Sequence, residues 1–390
     1  MRIAIISPWY ITDGGAEKVD GILGEMYPDA DVFTLFFKEQ GIPEKLRGRA
    51  FHCSFLHRIP GIHRLYRPLL SLVPYAMESF DLRGYDLVIT SDWACAKGVL
   101  TDTKTRHICY CHSPMRLIWD LYQTYLQDLP AWQRPLYALT ARQLRQYDFE
   151  ASQRVDSFIA NSNYIAQRIR HYYKRDATVI YPPVETSRGY IASDIGDYYL
   201  AVGRLNRTKR LDLLVLACNS LKRRLLISGW GPAETYLKSI AGPTIEFLGR
   251  VPDGELDELY AHCRALLFAA NEDFGIVPVE AQSFGRPVIA YGYGGLLETV
   301  RVGDPSGEPD TGIYFPQQTV ESVIEGIQKF EVQEDRFIPQ VTRDRSRMFD
   351  TSVFVDKMQA FVARGEKSEA AQFVGDHSDI QKPASCQTAL

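Results

Sequence analysis

The chain has 390 residues, which suggests two domains, and 45% of them are hydrophobic, as expected for a globular protein with sizeable cores. A formal net charge of −4 gives no global electrostatic signal for nucleic acid or for an anionic membrane. The seven cysteines lack metal-ligand spacing and, together with the absence of a signal peptide, favour a reducing cytoplasm. No apolar run reaches the roughly 18 residues of a transmembrane helix.

The N-terminal half opens with a strand, a glycine turn and a helix. Residues 2–7 are an apolar run, Gly14 and Gly15 follow, and a helical pattern continues to Leu23. This order predicts a Rossmann-like domain, although the dinucleotide spacing G-x-G-x-x-G is absent. The two glycines form either a plain tight turn or a place where a ligand closely approaches the backbone.

Further strands are predicted over residues 32–35, 86–90 and 107–111. His112 follows the third of these, where the strand becomes a loop. A lone histidine is commonly a hydrogen-bonded structural residue, but an imidazole at a strand end can also donate to or accept from a ligand near neutral pH. Arg116 and Asp120 follow in a predicted helix.

Residues 45–77 carry the one strong local charge bias of the chain. They include six Lys or Arg, three His and no Asp or Glu, interspersed with large apolar side chains. Basic and apolar residues together are typical of a membrane-surface patch. The equally weighted alternative is a helical hairpin whose apolar side belongs to the core.

The connection between the halves is predicted around a strand over residues 179–184 that ends in Pro182 and Pro183. The predicted domains are residues 1–182 and 183–348, followed by a helix over 349–363. Residues 364–390 are polar and poor in large apolar groups, which predicts a disordered tail.

The C-terminal half repeats the pattern of strands and helices. Arg204 and Lys209 follow a strand that begins at Tyr199 and precede a helix. An arginine fork and an ammonium group at such a place suit a diphosphate, whereas elsewhere both would be ordinary solvated surface residues. The βα alternation in both halves predicts buried parallel sheets.

A strand, an acidic loop and a helix follow in the segment from Ala265 to Gly285. The helix is predicted to begin at Pro278, so Glu272 lies in the loop and Glu280 in the first helical turn. A helix N-terminus suits a phosphate. Two carboxylates on one loop suit two hydroxyl-rich parts of one ligand better than a glycosidase pair, whose members flank a single bond.

This segment resembles the E-x7-E signature of the retaining family 4 glycosyltransferases, with Phe274, Gly275 and Pro278 between or beside its two glutamates. The flanking residues 285–290 and 294–299 and the segment 203–212 match as well, and the resemblance extends over roughly residues 1–363. It implies the α/β fold called GT-B, in which two Rossmann-like domains face an interdomain cleft. It also implies sugar transfer from a nucleotide-sugar with retention of configuration, by a front-face mechanism.

The resemblance assigns roles to particular residues. It implies that His112 and Glu272 are catalytic, with the histidine contacting the donor sugar, and that Arg116 and Asp120 lie on the acceptor side. It implies that the helix over 349–363 crosses back to the N-terminal domain. The implied donor-binding residues are Gly14, Gly15, Arg204, Lys209, Arg250, Val251, Phe274, Gly275, Ile276, Val277 and Glu280.

Segments 110–116 and 272–278 are similar to bacterial GDP-mannose-dependent mannosyltransferases of O-antigen and exopolysaccharide assembly. The expected partners are therefore a nucleotide-sugar donor and a polyprenyl-diphosphate-linked saccharide acceptor, with no nucleic acid. The expected location is the cytoplasm or the inner face of the cell membrane. No D-x-D metal motif is present, so we expect neither metal nor cofactor.

Alternatives remain at this stage. One is a UDP-sugar-dependent transferase of the same fold. Another is a non-catalytic nucleotide-sugar-binding subunit. It is disfavoured by the joint presence of five polar site residues, which are His112, Arg204, Lys209, Glu272 and Glu280. A phosphorylase or epimerase on the same fold is a further alternative, and the chain is too short for a pyridoxal-type phosphorylase. The acceptor, the linkage and the oligomeric state are left open by the sequence.

Overall fold

The computed structural model describes residues 1–12, 14–66 and 69–365. The prediction of a disordered tail over 364–390 therefore falls almost entirely outside the described residues. Asp13, Arg67 and Pro68 also fall outside them. Within the described ranges, no helix is both long and apolar enough to cross a membrane.

The N-terminal half contains one parallel sheet of seven strands, in the order β3-β2-β1-β4-β5-β6-β7. Its strands are β1 Ile3–Ser7, β2 Asp31–Thr34, β3 Phe51–Cys53, β4 Leu87–Asp92, β5 Arg106–Cys111, β6 Ser157–Ala160 and β7 Ala177–Val179. Its helices are α1 Gly15–Met26, α2 Ile62–Leu65, α3 Val73–Glu78, α4 Tyr122–Asp128, α5 Arg134–Gln153 and α6 Asn163–Tyr173.

The C-terminal half contains a second parallel sheet of six strands, in the order β10-β9-β8-β11-β12-β13. Its strands are β8 Tyr199–Val202, β9 Leu225–Ser228, β10 Ile245–Gly249, β11 Leu266–Phe268, β12 Val288–Tyr291 and β13 Gly312–Phe315. The helices of this half are α7 Leu211–Leu221, α8 Glu234–Ile240, α9 Asp253–His262, α10 Ile276–Ser283, α11 Leu296–Thr299, α12 Val320–Gln333, α13 Pro339–Ser346 and α14 Thr351–Ala363.

Both sheets are covered by helices, and their central strands are buried on both faces, as is usual for parallel sheets, whereas the edge strands β3, β7 and β10 are partly exposed. Strand β1 is fully buried, as is strand β4 beside it. The last helix, α14, packs Phe354 and Met358 into the same core cluster as Ile3 and Ile5 of strand β1. The chain therefore returns to its N-terminal sheet after completing the second one.

The predicted strand over residues 179–184 is wrong. Strand β7 ends at Val179, and the residues that follow have no regular structure apart from an isolated bridge at Val184. Strand β7 is the edge strand and pairs only with β6, and Pro182 and Pro183 have no backbone N–H to donate to that single ladder.

In each sheet, successive strands are added on one side and then on the other. The point where the side changes lies between β1 and β4 in the first sheet and between β8 and β11 in the second. In open α/β sheets, ligands bind at this switch point, outside the carboxyl ends of the strands. The loops after β1, β5, β8 and β11 carry most of the residues singled out in the sequence, and they meet between the two sheets.

Candidate active site between the two domains

Two helix N-termini converge at the switch points. Helix α1 begins after Gly14 and helix α10 after Gly275, and neither cap residue makes a side-chain capping bond. A Cβ atom added to Gly15 would lie 2.8 Å from Cδ1 of Ile276. The two helix N-termini can therefore lie this close together because residue 15 is a glycine. Two positive dipole ends and the N–H groups of the first helical turns favour a polyanion at this place, with the carboxylate of Glu17 already in the first turn of α1.

Helix α10 begins two residues earlier than the sequence predicts. Gly275 has a φ of +95°, a left-handed conformation that glycine adopts without strain, and the helix starts at the next residue. Pro278 is then the third helical residue, still within the first turn, where its missing N–H would have had no partner. Glu280 consequently lies past the first turn, and the prediction that it belongs to that turn is wrong.

Arg204 and Lys209 extend toward this place from the loop after β8. Arg204 donates from Nη2 to Thr12 Oγ1 of the other domain at 3.1 Å, beside Gly14. Lys209 ends a short 3-10 turn that is capped by Asn206, and its Nζ donates to Glu272 Oε1 at 2.5 Å. The two predicted cations therefore lie close to the glycine turn and to the first glutamate of the motif.

Glu280 is buried and holds two partners in the structure. Its Oε1 accepts from Lys18 Nζ of helix α1 at 3.0 Å, and its Oε2 accepts from the Tyr260 hydroxyl at 3.0 Å. Burial raises the pKa of this carboxyl, but Lys18 and Tyr260 more than offset that effect and hold the pKa below its usual value. Glu280 is thus an ionised acceptor aimed at the gap between the domains.

His112 lies at the end of strand β5 and retains 8% of its surface. Its Nε2 shares a hydrogen bond of 2.8 Å with the Ser91 hydroxyl, and its ring packs edge-on against Trp93 and Tyr110. Burial lowers its pKa to about 4, with Asp92 opposing that effect. The imidazole is therefore neutral near pH 7, so it can form hydrogen bonds but carries no positive charge.

The sequence predicts that Arg116 and Asp120 lie in a helix, and this prediction is wrong. Both residues lie in successive turns before helix α4. The backbone bonds there differ in span, from the Ile118 and Trp119 N–H groups to the Met115 carbonyl and from the Leu121 N–H group to the Arg116 carbonyl, so the turns do not form a regular helix. Arg116 Nε donates to Asp120 at 3.3 Å. Both residues take part in a charged cluster with Asp273 and Arg168.

Asp273 and Arg168 are the residues that the sequence interpretation missed. Arg168 of helix α6 donates to Asp120 at 2.7 Å and to Asp273 at 3.1 Å, and thereby links the two domains. Burial raises the pKa of Asp273, opposed by Arg116 and Arg168. Burial tends to lower the pKa of Arg116, but Asp273 and Asp120 raise it above its usual value. Asp273 adjoins Glu272 in the motif, whereas nothing in the local sequence distinguishes Arg168.

The hydrophobic members of the motif differ in position. Phe274 is buried against Tyr181 and Phe349, so its side chain belongs to the packing between the domains. Ile276 meets Gly15, and Val277 packs against the core of the C-terminal sheet. From this set, a donor could reach only backbone groups of the loop and the exposed parts of Ile276 and Val277.

Arg250 and Val251 follow strand β10, where Gly249 has a φ of +70° and its carbonyl accepts from Gly229 N at 2.7 Å. Arg250 is exposed and Val251 half-buried. They stand at the outer end of the second sheet, next to the loop after β9. The structure gives them no contact with the charged residues described above.

A second interdomain contact lies beside α6. Glu298, from the matched segment 294–299, accepts from the backbone N–H groups of Asn163 and Tyr164 at 2.8 and 2.9 Å, which satisfies two free donors at the N-terminus of α6. Ser162 also donates to the Asp273 carbonyl at 2.6 Å. These contacts join the domains beside the cleft.

Comparison with known proteins identifies the class of this architecture. A family model described as "Glycosyl transferases group 1" matches residues 192–343, and one described as "Glycosyltransferase Family 4" matches residues 28–188. Together they span most of both domains. The chain belongs to the GT-B glycosyltransferases. The predicted fold class, α/β with two Rossmann-like domains, is confirmed.

Curated relatives include alpha-1,3/1,6-mannosyltransferases named ALG2. The protein of Candida glabrata is 24% identical over 247 residues, covering 49% of this chain and 52% of the relative. The human protein is 25% identical over 239 residues, covering 52% of this chain and 55% of the relative. The chain thus spans about half the length of these relatives.

Solved structures share the fold over nearly the whole chain. HepE from Anabaena, solved in complex with UDP, superposes with a TM-score of 0.67 at 17% identity and covers 93% of this chain and 100% of its own. Sucrose-phosphate synthase from Thermosynechococcus elongatus gives a TM-score of 0.67 at 18% identity and covers 93% of this chain and 99% of its own.

Proposed function

We propose that this glycosyltransferase moves a hexose onto a hydroxyl of a lipid-linked saccharide, with retention of the anomeric configuration. The proposed hexose is mannose, and the proposed donor is GDP-mannose. The observation that carries this proposal is the approach of the N-termini of α1 and α10 to each other, with Arg204, Lys209 and the ionised Glu280 beside them. A diphosphate needs fixed positive charge, and a ribose diol needs a carboxylate acceptor nearby.

In this proposal, different residues bind the diphosphate, the ribose and the hexose of the donor. The N–H groups of α1 and α10, with Arg204 and Lys209, would hold the diphosphate and stabilise the charge that develops on it as the leaving group. Glu280 would accept from the ribose hydroxyls. Glu272 and the neutral His112 would meet the hexose, where hydrogen bonds to hydroxyl groups fix its orientation for attack by the acceptor.

The choice of mannose is supported by the curated mannosyltransferase relatives and by the motif wording in the sequence. UDP-sugars are the alternative donors, because HepE was solved with UDP and Arg250 and Val251 could meet either base through their backbone. A bacterial surface polysaccharide is the proposed pathway class for the product.

The acceptor side of the proposal involves the basic segment 45–77. Some of its apolar residues are buried and others are exposed. Leu56, Ile62 and Met77 are buried in the core of the N-terminal domain. The exposed apolar side chains of this segment are Phe55, Leu65, Leu72 and Tyr75. We propose that these side chains, with the exposed Arg58 and Arg64, contact the cytoplasmic membrane surface, where a polyprenyl-linked acceptor resides.

Incubation with GDP-mannose, UDP-glucose and UDP-N-acetylglucosamine tests the proposal. We expect slow release of nucleoside diphosphate from one donor without acceptor and faster release when a polyprenyl-diphosphate-linked saccharide is added, with retention visible by NMR of the product. Nucleotide-sugar binding without turnover under any acceptor would favour the non-catalytic subunit, and absence of binding to all three donors would overturn the proposal.

We propose that transfer needs no metal ion. Within residues 1–12, 14–66 and 69–365, no group of three or more His, Cys, Asp or Glu is placed to hold one, and Arg204 and Lys209 can supply the positive charge. Activity is expected to persist in excess EDTA. A complete loss that added Mg²⁺ or Mn²⁺ restores would contradict this expectation.

A further inference from the structure

Helices α4 and α5 form a hairpin, the α4–α5 hairpin (residues 122–153), which is anchored to the N-terminal domain along one side. Tyr122 and Tyr137 stack with 5.7 Å between their ring centroids, and the Tyr137 hydroxyl donates to the Leu117 carbonyl at 2.5 Å. Leu144 of α5 is buried in the core of that domain. These contacts hold the hairpin in place and turn its other side outward.

The outward side of the hairpin carries large apolar side chains. Trp132, directly before α5, is 78% exposed, and Leu136 and Leu139 of α5 are 65% and 56% exposed. Spacings of four and three positions place these three residues on one helix face. Tyr125 of α4 is exposed as well, and none of the seven described residues of α4 is fully buried. Single exposed leucines are ordinary, whereas a contiguous apolar patch that includes a tryptophan marks a contact surface.

The charge of the hairpin favours an anionic surface as its partner. Residues 121–147 contain three arginines and one acidic residue, Asp128. Arg134 and Arg142 are exposed within one helical turn of the apolar patch, and Asp128 is paired with Arg207 of the other domain at 3.4 Å. Tryptophan, leucine and arginine side by side on a helix are the composition of elements that lie in the interface of an anionic bilayer.

The position of the hairpin indicates the same partner. Helix α5 contacts the turn Leu70–Leu72, so the hairpin adjoins the segment 45–77, whose exposed side chains are proposed above to contact the membrane. The ion pair between Asp128 and Arg207 places the tip of the hairpin at the rim of the cleft between the domains. A bilayer that holds the hairpin therefore lies against the mouth of the cleft.

We propose that the α4–α5 hairpin is a membrane-insertion element, which buries Trp132, Leu136 and Leu139 at the headgroup level of an anionic bilayer and turns the cleft toward the membrane surface. The role of that bilayer as the source of the acceptor rests on the function proposed above, whereas the binding of the hairpin to lipid does not.

Sedimentation of the full chain with lipid vesicles tests this surface. We expect binding to mixed vesicles of phosphatidylcholine and phosphatidylglycerol, and weaker binding to phosphatidylcholine alone or at raised salt concentration. Trp132→Ser/Leu136→Ser should lower the partition coefficient for the mixed vesicles at least about tenfold, because two apolar side chains no longer leave water. Both positions are exposed, so the substitutions leave the core intact.

Tyr236→Ser/Val332→Ser is the matched control. Both residues are exposed apolar side chains of the C-terminal domain, on α8 and α12, and their loss should leave vesicle binding unchanged. Wild-type binding of the mixed vesicles by Trp132→Ser/Leu136→Ser would overturn the proposal. It would do so even if Leu65→Ser/Tyr75→Ser lost binding, since the segment 45–77 would then make the contact alone.

The fluorescence of Trp132 reports insertion directly. When mixed vesicles are added, we expect a blue shift of the wild-type emission that Trp132→Phe lacks, although Trp132→Phe keeps most of the binding because phenylalanine is also apolar. Binding to vesicles with the same shift in the wild type and in Trp132→Phe would show that another part of the chain enters the bilayer, and would overturn the proposal.

A second copy of the chain is the competing occupant of the apolar patch. Sedimentation velocity without lipid separates the two occupants. A concentration-dependent dimer that Trp132→Ser/Leu136→Ser abolishes, in a protein that does not bind the mixed vesicles, would assign the patch to self-association and overturn the proposal.

Transfer activity separates this proposal from the proposed function. With the acceptor embedded in mixed vesicles, Trp132→Ser/Leu136→Ser should slow transfer in proportion to the lost binding, whereas donor hydrolysis without acceptor should match the wild type. Vesicle binding through the hairpin, in a chain that turns over no nucleotide-sugar, would overturn the proposed function and uphold the insertion element. Transfer by a chain whose vesicle binding does not depend on the hairpin would do the reverse.

Discussion

Lys18 of helix α1 and Glu280 of helix α10 form an ion pair across the two domains, with 3.0 Å between Nζ and Oε1. The lysine side chain is 54% exposed and the glutamate side chain 9%. Glu280 raises the pKa of Lys18, so both partners are charged near neutral pH. The carboxylate that is proposed to hold a ribose diol is therefore occupied by an exposed and displaceable lysine.

In the proposed site, Lys18 competes with the ribose hydroxyls for Glu280, and Lys18→Met is expected to strengthen binding of free nucleoside diphosphate several-fold, because the competitor is gone. Calorimetry with GDP and UDP measures this. Lys45→Met is the matched control, since Lys45 pairs with Glu25 of helix α1 within one domain and its loss should leave affinity unchanged. A tenfold loss of affinity in Lys18→Met would show instead that Lys18 is itself a ligand.

Arg204→Ala and Lys209→Ala are each expected to weaken nucleoside diphosphate binding about tenfold or more. A charge-assisted hydrogen bond contributes roughly 1.5–3 kcal/mol, and each side chain is proposed to contact the diphosphate. Titration calorimetry in buffers of fixed ionic strength gives the change. Arg207→Ala is the control, because Arg207 is 88% exposed and pairs only with Asp128 at 3.4 Å among the described residues. Wild-type affinity in both variants would exclude the pair from the site.

Much of this site could be predicted from the sequence because its parts are local. Gly14, Gly275 and the residues between Glu272 and Glu280 lie in single strand-loop-helix units, whose geometry follows from glycine freedom and helix capping. Parallel strand pairing then brings the ends of those units to one edge of each sheet.

The contacts that join distant segments could not be predicted in the same way. Arg168 reaches Asp273 across 105 positions, and Lys18 reaches Glu280 across 262. Such pairs depend on how the domains face each other, and no local period or spacing records that. The predicted start of α10 is wrong for a related reason. Proline is compatible with any position in the first turn of a helix, so Pro278 does not fix where the helix begins. The φ of Gly275 fixes it, and the sequence does not give that angle.

The two buried histidines are expected to destabilise the fold as the pH decreases from about 6.5 to about 4. Burial lowers the pKa of both His107 and His112 to about 4, so in that window the unfolded chain binds two protons that the folded chain does not. Each contributes up to about 1.4 kcal/mol per pH unit. Asp20 acts in the opposite direction, because its raised pKa gives stability at low pH that is lost as the pH rises toward 7.

Asp273, whose pKa burial also raises, acts in the same direction as Asp20, so the histidine contribution is measured as the difference between the wild type and His107→Gln in urea unfolding at pH 7 and pH 5. His107 lies far from the cleft and pairs with Thr90 at 3.1 Å. His107→Gln should therefore reduce the pH dependence and leave nucleotide affinity unchanged. The same change in stability between pH 7 and pH 5 in the wild type and in His107→Gln would contradict the assignment of a neutral buried His107.

The two glutamates of the motif are expected to act on different parts of the donor. Glu280→Gln removes the charge that holds Lys18 and Tyr260 and that would bind the ribose, so affinity for free GDP and for GDP-mannose should fall alike. A neutral amide is a weaker acceptor than a carboxylate by roughly 1–2 kcal/mol at a buried site, which corresponds to about a five- to thirtyfold loss.

Glu272→Gln should behave differently, because its structural partner is Lys209. The substitution releases the ammonium group for the diphosphate, so affinity for free GDP should stay level or rise, while transfer of the hexose slows. Calorimetry with GDP and the transfer rate with GDP-mannose, measured on both variants, separate these effects. Equal losses of GDP affinity in the two variants would refute the division. If neither variant changes either quantity, both carboxylates lie outside the donor site, and the loop before α10 serves only to begin a helix.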